Sequence, residues 1–164
     1  MQSSLSIAVI TVSDTRTEET DTSGKYLQEQ VTLAGHKLVS RQIVKDDTYL
    51  LRAIVATLVA DESVNAVLLT GGTGFTKRDN TVKAIQPLFD TPIEGFGELF
   101  RMLSHAEIGS SSMQSRAIAG LSNNTIIFCM PGSTGACRTA WEGLIAEQLN
   151  AAHKPCNFVE KLVS

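Results

Sequence analysis

The 164-residue sequence predicts one α/β domain over residues 1–164, a three-layer α/β/α sandwich around a mainly parallel sheet. Three observations predict it. Short β-rich apolar runs alternate along the chain with segments of helical periodicity. The runs are continuously apolar, as strands covered on both faces are. Each run ends in a cluster of Gly, Ser, Thr or Asp.

The first run is Leu5–Val12, dense in β-branched residues. Asp21, Thr22 and Ser23 offer helix caps, Leu27, Val31 and Ala34 follow at helical spacing, and Gly35 stops that helix. Leu38–Val44 is a second strand with imperfect alternation. Asp46, Asp47 and Thr48 precede a helix whose apolar stripe is Leu50, Leu51, Ile54, Val55, Leu58 and Val59. Ala66–Thr70 is a continuous strand ending in glycines, and a helix over about residues 80–89 follows it. Between Thr91 and Asn124 the pattern predicts two helical portions separated by Gly109-Ser110-Ser111-Ser112. Thr125–Met130 is another buried strand. Pro131-Gly132-Ser133-Thr134 then opens a long helix carrying Cys137, Ala140, Trp141, Leu144, Ile145 and Leu149.

Composition narrows the function. With 43% hydrophobic and 19% charged residues the chain belongs among folded globular proteins. A net charge of −3 leaves no broad basic field for nucleic acid, so any phosphate must be held by local groups. No apolar run reaches the roughly 18 residues of a membrane span. The stretch MQSSLSIAVITVSD lacks a basic leader and reads as a first strand, which makes a reduced cytoplasm the expected location. Cys129, Cys137 and Cys156 form no CxxC pair, and Cys129 reads as a small core residue. His36, His105 and His153 are scattered and suggest no metal cluster.

Parallel strands bring their carboxyl ends to one edge, where open α/β sheets bind ligands. Four polar segments meet there: Ser13-Asp14, Asp46-Asp47, Thr70-Gly71-Gly72-Thr73-Gly74 and Gly132-Ser133-Thr134. Glycine lets a loop adopt positive φ and turn successive N–H groups toward an anion. A tight turn without a ligand explains the glycines too, but not the threonines interleaved among them. The loop is neither of two familiar phosphate motifs. Lys77 follows Thr76 where a Walker loop needs Gly, and it takes the third glycine position of a dinucleotide fingerprint. Asp79 reads as a helix cap or a site carboxylate. One cap suffices before the second helix, so Asp46 or Asp47 is spare. Two carboxylates facing one phosphate cradle repel unless a cation separates them, which points to Mg²⁺ and nucleotide chemistry. Lys77 and Arg78 read equally as phosphate partners or a solvated pair, Arg101 and Arg116 as surface residues, and Phe75, Phe96 and Trp141 as packing.

The stretch TGGTGFTKRD resembles the glycine loop of the MoaB/MogA family of molybdenum-cofactor biosynthesis proteins. The resemblance extends to ITVSDTRTEETDTSGKYL, EGFGELFRMLSHAEIGSSSMQSRA and MPGSTGACRTAWEGLI, almost the whole chain. The last of these, with the terminal PCNF, looks more like the MoaB branch. The resemblance implies a fold that binds molybdopterin, and catalytic members transfer AMP from Mg-ATP to the terminal phosphate of that pterin. It implies catalytic, Mg²⁺-holding roles for Asp46 and Asp79, and a phosphate cradle at Thr70, Gly71, Gly72, Thr73 and Gly74. It further implies phosphate contacts at Gly132 and Ser133, a nucleotide contact at Ser13, and a substrate-side wall with Glu94 and Ser104. Homotrimers or homohexamers are implied as well. The last loop lacks the second proline and the lysine of MogA-type members, and not all MoaB-type proteins adenylylate. A non-catalytic molybdopterin-binding or scaffold protein is therefore the alternative.

Overall fold

A computed structural model describes residues 3–164; Met1 and Gln2, part of the span expected as one domain, lie outside the described residues. Six strands form one sheet in the order β2-β1-β3-β6-β5-β4: β1 (Ser6–Val12), β2 (Lys37–Val44), β3 (Ala66–Thr70), β4 (Thr91–Pro92), β5 (Ile118–Ser122) and β6 (Thr125–Met130). The first four in that order are mutually parallel, β5 runs antiparallel to β6, and β4 pairs antiparallel with β5. The mainly parallel sandwich expected from the sequence is thus the fold observed.

Alternation along the central strands divides the core in two. Ile7, Val9, Leu68, Ile126, Phe128 and Met130 face one side, with Leu27 and Val31 of α1 (Thr22–Leu33) and Phe96 and Phe100 of α4 (Glu94–Ile108). Trp141 and Ile145 also pack there, from the π-helical turn Trp141–Ile145 that continues α5 (Thr134–Ala140). Ile10, Val12, Val67, Leu69, Ile127 and Cys129 face the other side. Leu51 and Val55 of α2 (Thr48–Ala60) and Ala84 and Ile85 of α3 (Thr81–Ile85) cover them. Each central strand buries both faces, which is why it reads as one apolar run. Trp141 and Phe96 pack as expected and Cys129 is fully buried.

Local chemistry explains most boundaries. Asp21 caps α1 by accepting from Gly24 N at 2.9 Å, and Asp47 caps α2 by accepting from Leu50 N at 2.8 Å. Asp21 is buried, and it also takes the Thr11 hydroxyl and the Arg41 guanidinium, which locks the loop after β1 against the sheet. The helix expected over 80–89 is shorter: α3 passes into a 3-10 turn at Gln86–Leu88, where Pro87 lacks the N–H that an α-helix uses.

The region 91–124 departs further from expectation. Its first helical portion is α4, but the serine tract Gly109–Gln114 is itself a 3-10 turn, and the second helical portion is β5. Asn123, at φ 51°, closes a two-residue hairpin that pairs Ser122 with Thr125. β5 therefore zips onto β6, and tertiary pairing overrides the weak helical pattern. No helix among the described residues is long and apolar enough to cross a membrane.

Buried His36 clips the start of β1 by accepting Leu5 N–H on Nδ1 at 3.1 Å, and burial lowers its pKa below the ordinary 6.5. The unfolded state thus binds the proton more tightly, so the stability His36 contributes is complete above about pH 6.5 and is lost as pH falls through the lowered folded-state value. Denaturant unfolding of wild type and His36→Asn between pH 8 and pH 5 should show a wild-type advantage that shrinks on acidification; an advantage that grows would contradict this.

Candidate active site

The carboxyl ends of β1, β2, β3 and β6 open onto one cavity of about 640 Å³. Thr11 of β1 pairs with Thr70 of β3, and Thr70 with Met130 of β6, so the loops leaving these strands start level. Ser13, Asp46, Thr70, Gly71, Gly72, Thr73, Gly74, Asp79, Ser104, Gly132 and Ser133 all line the cavity. Glu94 does not. It is the first residue of α4 and borders a separate cavity of about 340 Å³ beside Gln86 and Arg101.

The glycines of the β3 loop are required by the protein's own packing. Gly71 and Gly72 have φ of 106° and 72°, and a Cβ on Gly71 would lie 2.3 Å from the Val12 carbonyl oxygen. One on Gly72 would lie 2.2 Å from Thr81 Oγ1 and 3.0 Å from Asp46 Oδ2. Gly74 has ordinary φ, but its Cβ would lie 2.9 Å from Asp79 Oδ2. The loop backbone is thus laid directly against both carboxylates.

The loop's carbonyls are all occupied inside the protein. Gly71 O accepts the Thr81 hydroxyl at 2.7 Å, Gly72 O accepts Thr81 N–H at 3.0 Å, and Thr73 O accepts Arg116 N–H at 3.0 Å. Gly74 O accepts the Arg116 guanidinium, which also reaches Asp79 O at 3.2 Å. Gly71 N–H goes to Met130 O at 2.9 Å. Among the described residues, no acceptor meets the N–H groups of Gly72 and Thr73. Two adjacent amide donors without a partner are the chemistry an anion-binding nest uses. Thr70 lies on the floor, where its hydroxyl donates to Pro131 O at 2.8 Å and meets Cys137 Sγ at 3.1 Å. Burial pushes that thiol up to about 11, so Cys137 stays protonated at neutral pH.

The carboxylates differ in character. Asp46 is buried, and because Asp47 does the capping, its side chain is free to hold the far side of the loop: Oδ1 accepts Asn80 N–H at 2.9 Å. Burial raises the Asp46 pKa; Asn80 opposes this and the charges of Asp79 and Asp14 add to it. Asp79 does not cap α3, whose cap position is Asn80. Its Oδ2 accepts the Thr76 N–H at 2.9 Å and the Thr76 hydroxyl at 2.6 Å. Burial pushes the Asp79 pKa up, but the donors of Thr76 and Gly74 and the charge of Arg116 outweigh it, and the net shift is downward. Neighbouring titratable groups driven apart in this way are characteristic of working sites.

Three residues read as ordinary surface or core turn out otherwise. Arg116, expected on the surface, clamps the glycine loop, brought there as β5 pairs with β6 and carries the segment before it to that loop. Phe75, expected to pack, is 68% exposed with the Arg116 guanidinium 4.9 Å above its ring. Arg101 also turns inward, donating to Ala117 O at 3.1 Å. Sequence reading missed Gln114 and Ser115 as cavity residues, because their segment looked helical. Ser133 caps α5, accepting Ala136 N–H at 3.1 Å, and Ser13 accepts Arg16 N–H at 3.0 Å, so both hydroxyls hold the loops that form the rim.

The chain and its fold match known proteins. A family model described as a probable molybdopterin binding domain matches residues 8–151. Molybdenum cofactor biosynthesis protein B of Escherichia coli K12 is 57% identical over 152 residues, covering 93% of this chain and 89% of the relative. A crystal structure of a molybdenum cofactor biosynthesis protein B superposes with a TM-score of 0.86 at 50% identity, covering 90% of this chain and 92% of the other. The tungsten cofactor synthesizing protein MoaB of Pyrococcus furiosus superposes at 0.77 with 35% identity, covering 88% and 92%.

The loop packing makes opposite predictions for two glycines. Gly72→Ala forces an L side chain into positive φ against Thr81 and should lower unfolding free energy by at least about 2 kcal/mol. Gly135→Ala, in α5 with open space at its Cβ position, should stabilise by about 0.5–1 kcal/mol. Denaturant melts of the two variants check both signs, and a neutral Gly72→Ala would mean that the loop is not held as described.

Proposed function

The chain belongs to the MoaB/MogA molybdopterin-binding family, in its MoaB branch, and from that premise we propose that it acts in molybdenum cofactor biosynthesis by binding molybdopterin and transferring AMP from Mg-ATP to the pterin's terminal phosphate. One observation carries the transfer reading: the Gly71–Gly74 loop sets two open amide donors beside two carboxylates whose pKa values are driven in opposite directions. A phosphate nucleophile is already anionic and needs little help from a base. The barrier lies in bringing two polyanions together, so positioning and charge neutralisation are the effective means of catalysis.

In the reaction, an oxygen of the terminal phosphate attacks the α-phosphorus of ATP. That P–O bond forms as the bond to the β-phosphate breaks, and pyrophosphate leaves. The open N–H groups of Gly72 and Thr73 bind phosphate oxygens. Ser104, Gln114 and Ser115 line the same cavity and would meet the pterin's polar edges.

The donor set suits Mg²⁺. Among the described residues, no three or more His, Cys, Asp or Glu side chains cluster closely enough to cage a metal. Mg²⁺ needs no such cage, because one or two carboxylates and substrate phosphates suffice. Asp46 and Asp79 would hold it, and a divalent cation would favour the charged form of Asp46, which burial and, to a lesser degree, the charges of Asp79 and Asp14 disfavour. When bound, the ion supplies charge neutralisation of the phosphates.

Assembly as a homotrimer or homohexamer in the cytoplasm belongs to the same proposal. Binding without transfer, as a carrier or scaffold, is the second reading. It is favoured by the cations lining the cavity: Arg16 donates to the Thr20 carbonyl and Arg78 is paired with Asp14, so both already hold partners within the protein.

Pure protein mixed with molybdopterin, ATP and Mg²⁺ should release pyrophosphate. Asp79→Asn, which keeps an oxygen for Thr76, should lose about 100-fold or more in turnover while its melting temperature stays within about 3 °C of wild type. No pyrophosphate from the wild type with both ligands present would leave the binding-only reading.

A further inference from the structure

Arg78 lines the cavity and bridges two of its loops. Its Nε and Nη2 donate to Asp14 Oδ2 and Oδ1, both at 2.8 Å. The pair ties the loop after β1 to the loop after β3, and both residues line the cavity. Asp14 Oδ1 has a second donor, the Asp46 N–H at 3.1 Å. Asp14 therefore touches the guanidinium on one side and the main chain of a site carboxylate on the other.

We propose that Arg78 is a phosphate-binding residue held in reserve, and that an incoming phosphate group displaces Asp14 from its guanidinium. Three features carry this. The pair is open to exchange, because its side chains are 62% and 34% exposed, so solvent screens it and either partner can be hydrated once released. The replacement is matched in shape, since a phosphate accepts the same two-pronged guanidinium fork as a carboxylate. And the exchange leaves no orphan: Asp14 keeps the Asp46 N–H and is exposed enough to be hydrated. With Asp14, Asp46 and Asp79 around one cavity, a free guanidinium in the open site would still face three negative charges. Pairing with Asp14 holds it in position until a polyanion enters. Arg16, the other cation lining the cavity, is bound to the Thr20 carbonyl and has no carboxylate to exchange.

The inference rests on a phosphate-binding site and not on AMP transfer, so inorganic pyrophosphate serves as the probe. Calorimetry would measure its dissociation constant for wild type, Asp14→Asn, Arg78→Gln and the double variant. Asn at 14 retains an oxygen for the Asp46 N–H, which separates loss of charge from loss of structure. Asp14→Asn should bind pyrophosphate more tightly and Arg78→Gln more weakly. The Asp14→Asn gain should shrink by at least about threefold when Arg78 is already replaced, because there is then nothing to release. Arg78→Gln should also lower the salt dependence of binding. Additive effects of the two substitutions, weaker binding by Asp14→Asn, or no pyrophosphate binding by the wild type would each overturn the exchange. Tight, coupled pyrophosphate binding without turnover of ATP would overturn the adenylyl-transfer reading and leave the exchange standing.

Discussion

After Thr70 the chain must leave the middle of a sheet and turn back beneath the loop that follows β2. Positive φ at Gly71 and Gly72 makes that turn possible, and Thr81 holds it by bonding to the carbonyls of both. The consequence is a backbone whose carbonyls are bonded inside the protein, while the Gly72 and Thr73 amides have no partner among the described residues. The same turn lays Gly72 against Asp46 and Gly74 against Asp79. Remove the turn and the carboxylates, the open amides and the Arg116 clamp all lose their common reference.

The turn also sets the electrostatics. Asp46 is buried beside two like charges and is held up, whereas Asp79 sits among donors and is held down. Such an arrangement is costly for an empty site and favourable for one that receives a cation with its polyanion. Arg78, bound to Asp14, keeps positive charge at the rim without neutralising the carboxylates deeper in. Charge is thus stored in separate pairs and rearranged when ligand arrives, the stored-charge logic expected where positioning carries most of the catalysis.

Much of this was legible in the sequence. The central strands are apolar on both faces because helices cover both, so β1, β3 and β6 stand out as runs. The caps Asp21 and Asp47 stand where short polar residues precede helical stripes, and the spare carboxylate beside Asp47 is what identifies Asp46 as available for other work. What was not legible depends on long-range pairing. Ile118–Ser122 is a strand because Thr125–Met130 lies beside it, and no local periodicity announces that. Arg116 follows from the same pairing, as do Gln114 and Ser115. The glycines were legible as a loop, but not the reason for each of them: Val12, Thr81 and Asp79 lie close in space and distant or unremarkable in sequence. Glu94 shows the converse, since its motif was visible but α4 points it to another cavity.

The account turns on Asp46 being a strained carboxylate that a cation-bearing polyanion relieves. Carboxyl-carbon NMR titration of ¹³C-labelled aspartates, without ligand and with Mg-ATP, measures this directly. Asp46 should titrate above the ordinary aspartate value and Asp79 below it in the free protein, and Mg-ATP should lower the Asp46 value markedly. Ordinary titration of both residues, or an Asp46 titration that Mg-ATP leaves unmoved, would contradict the account.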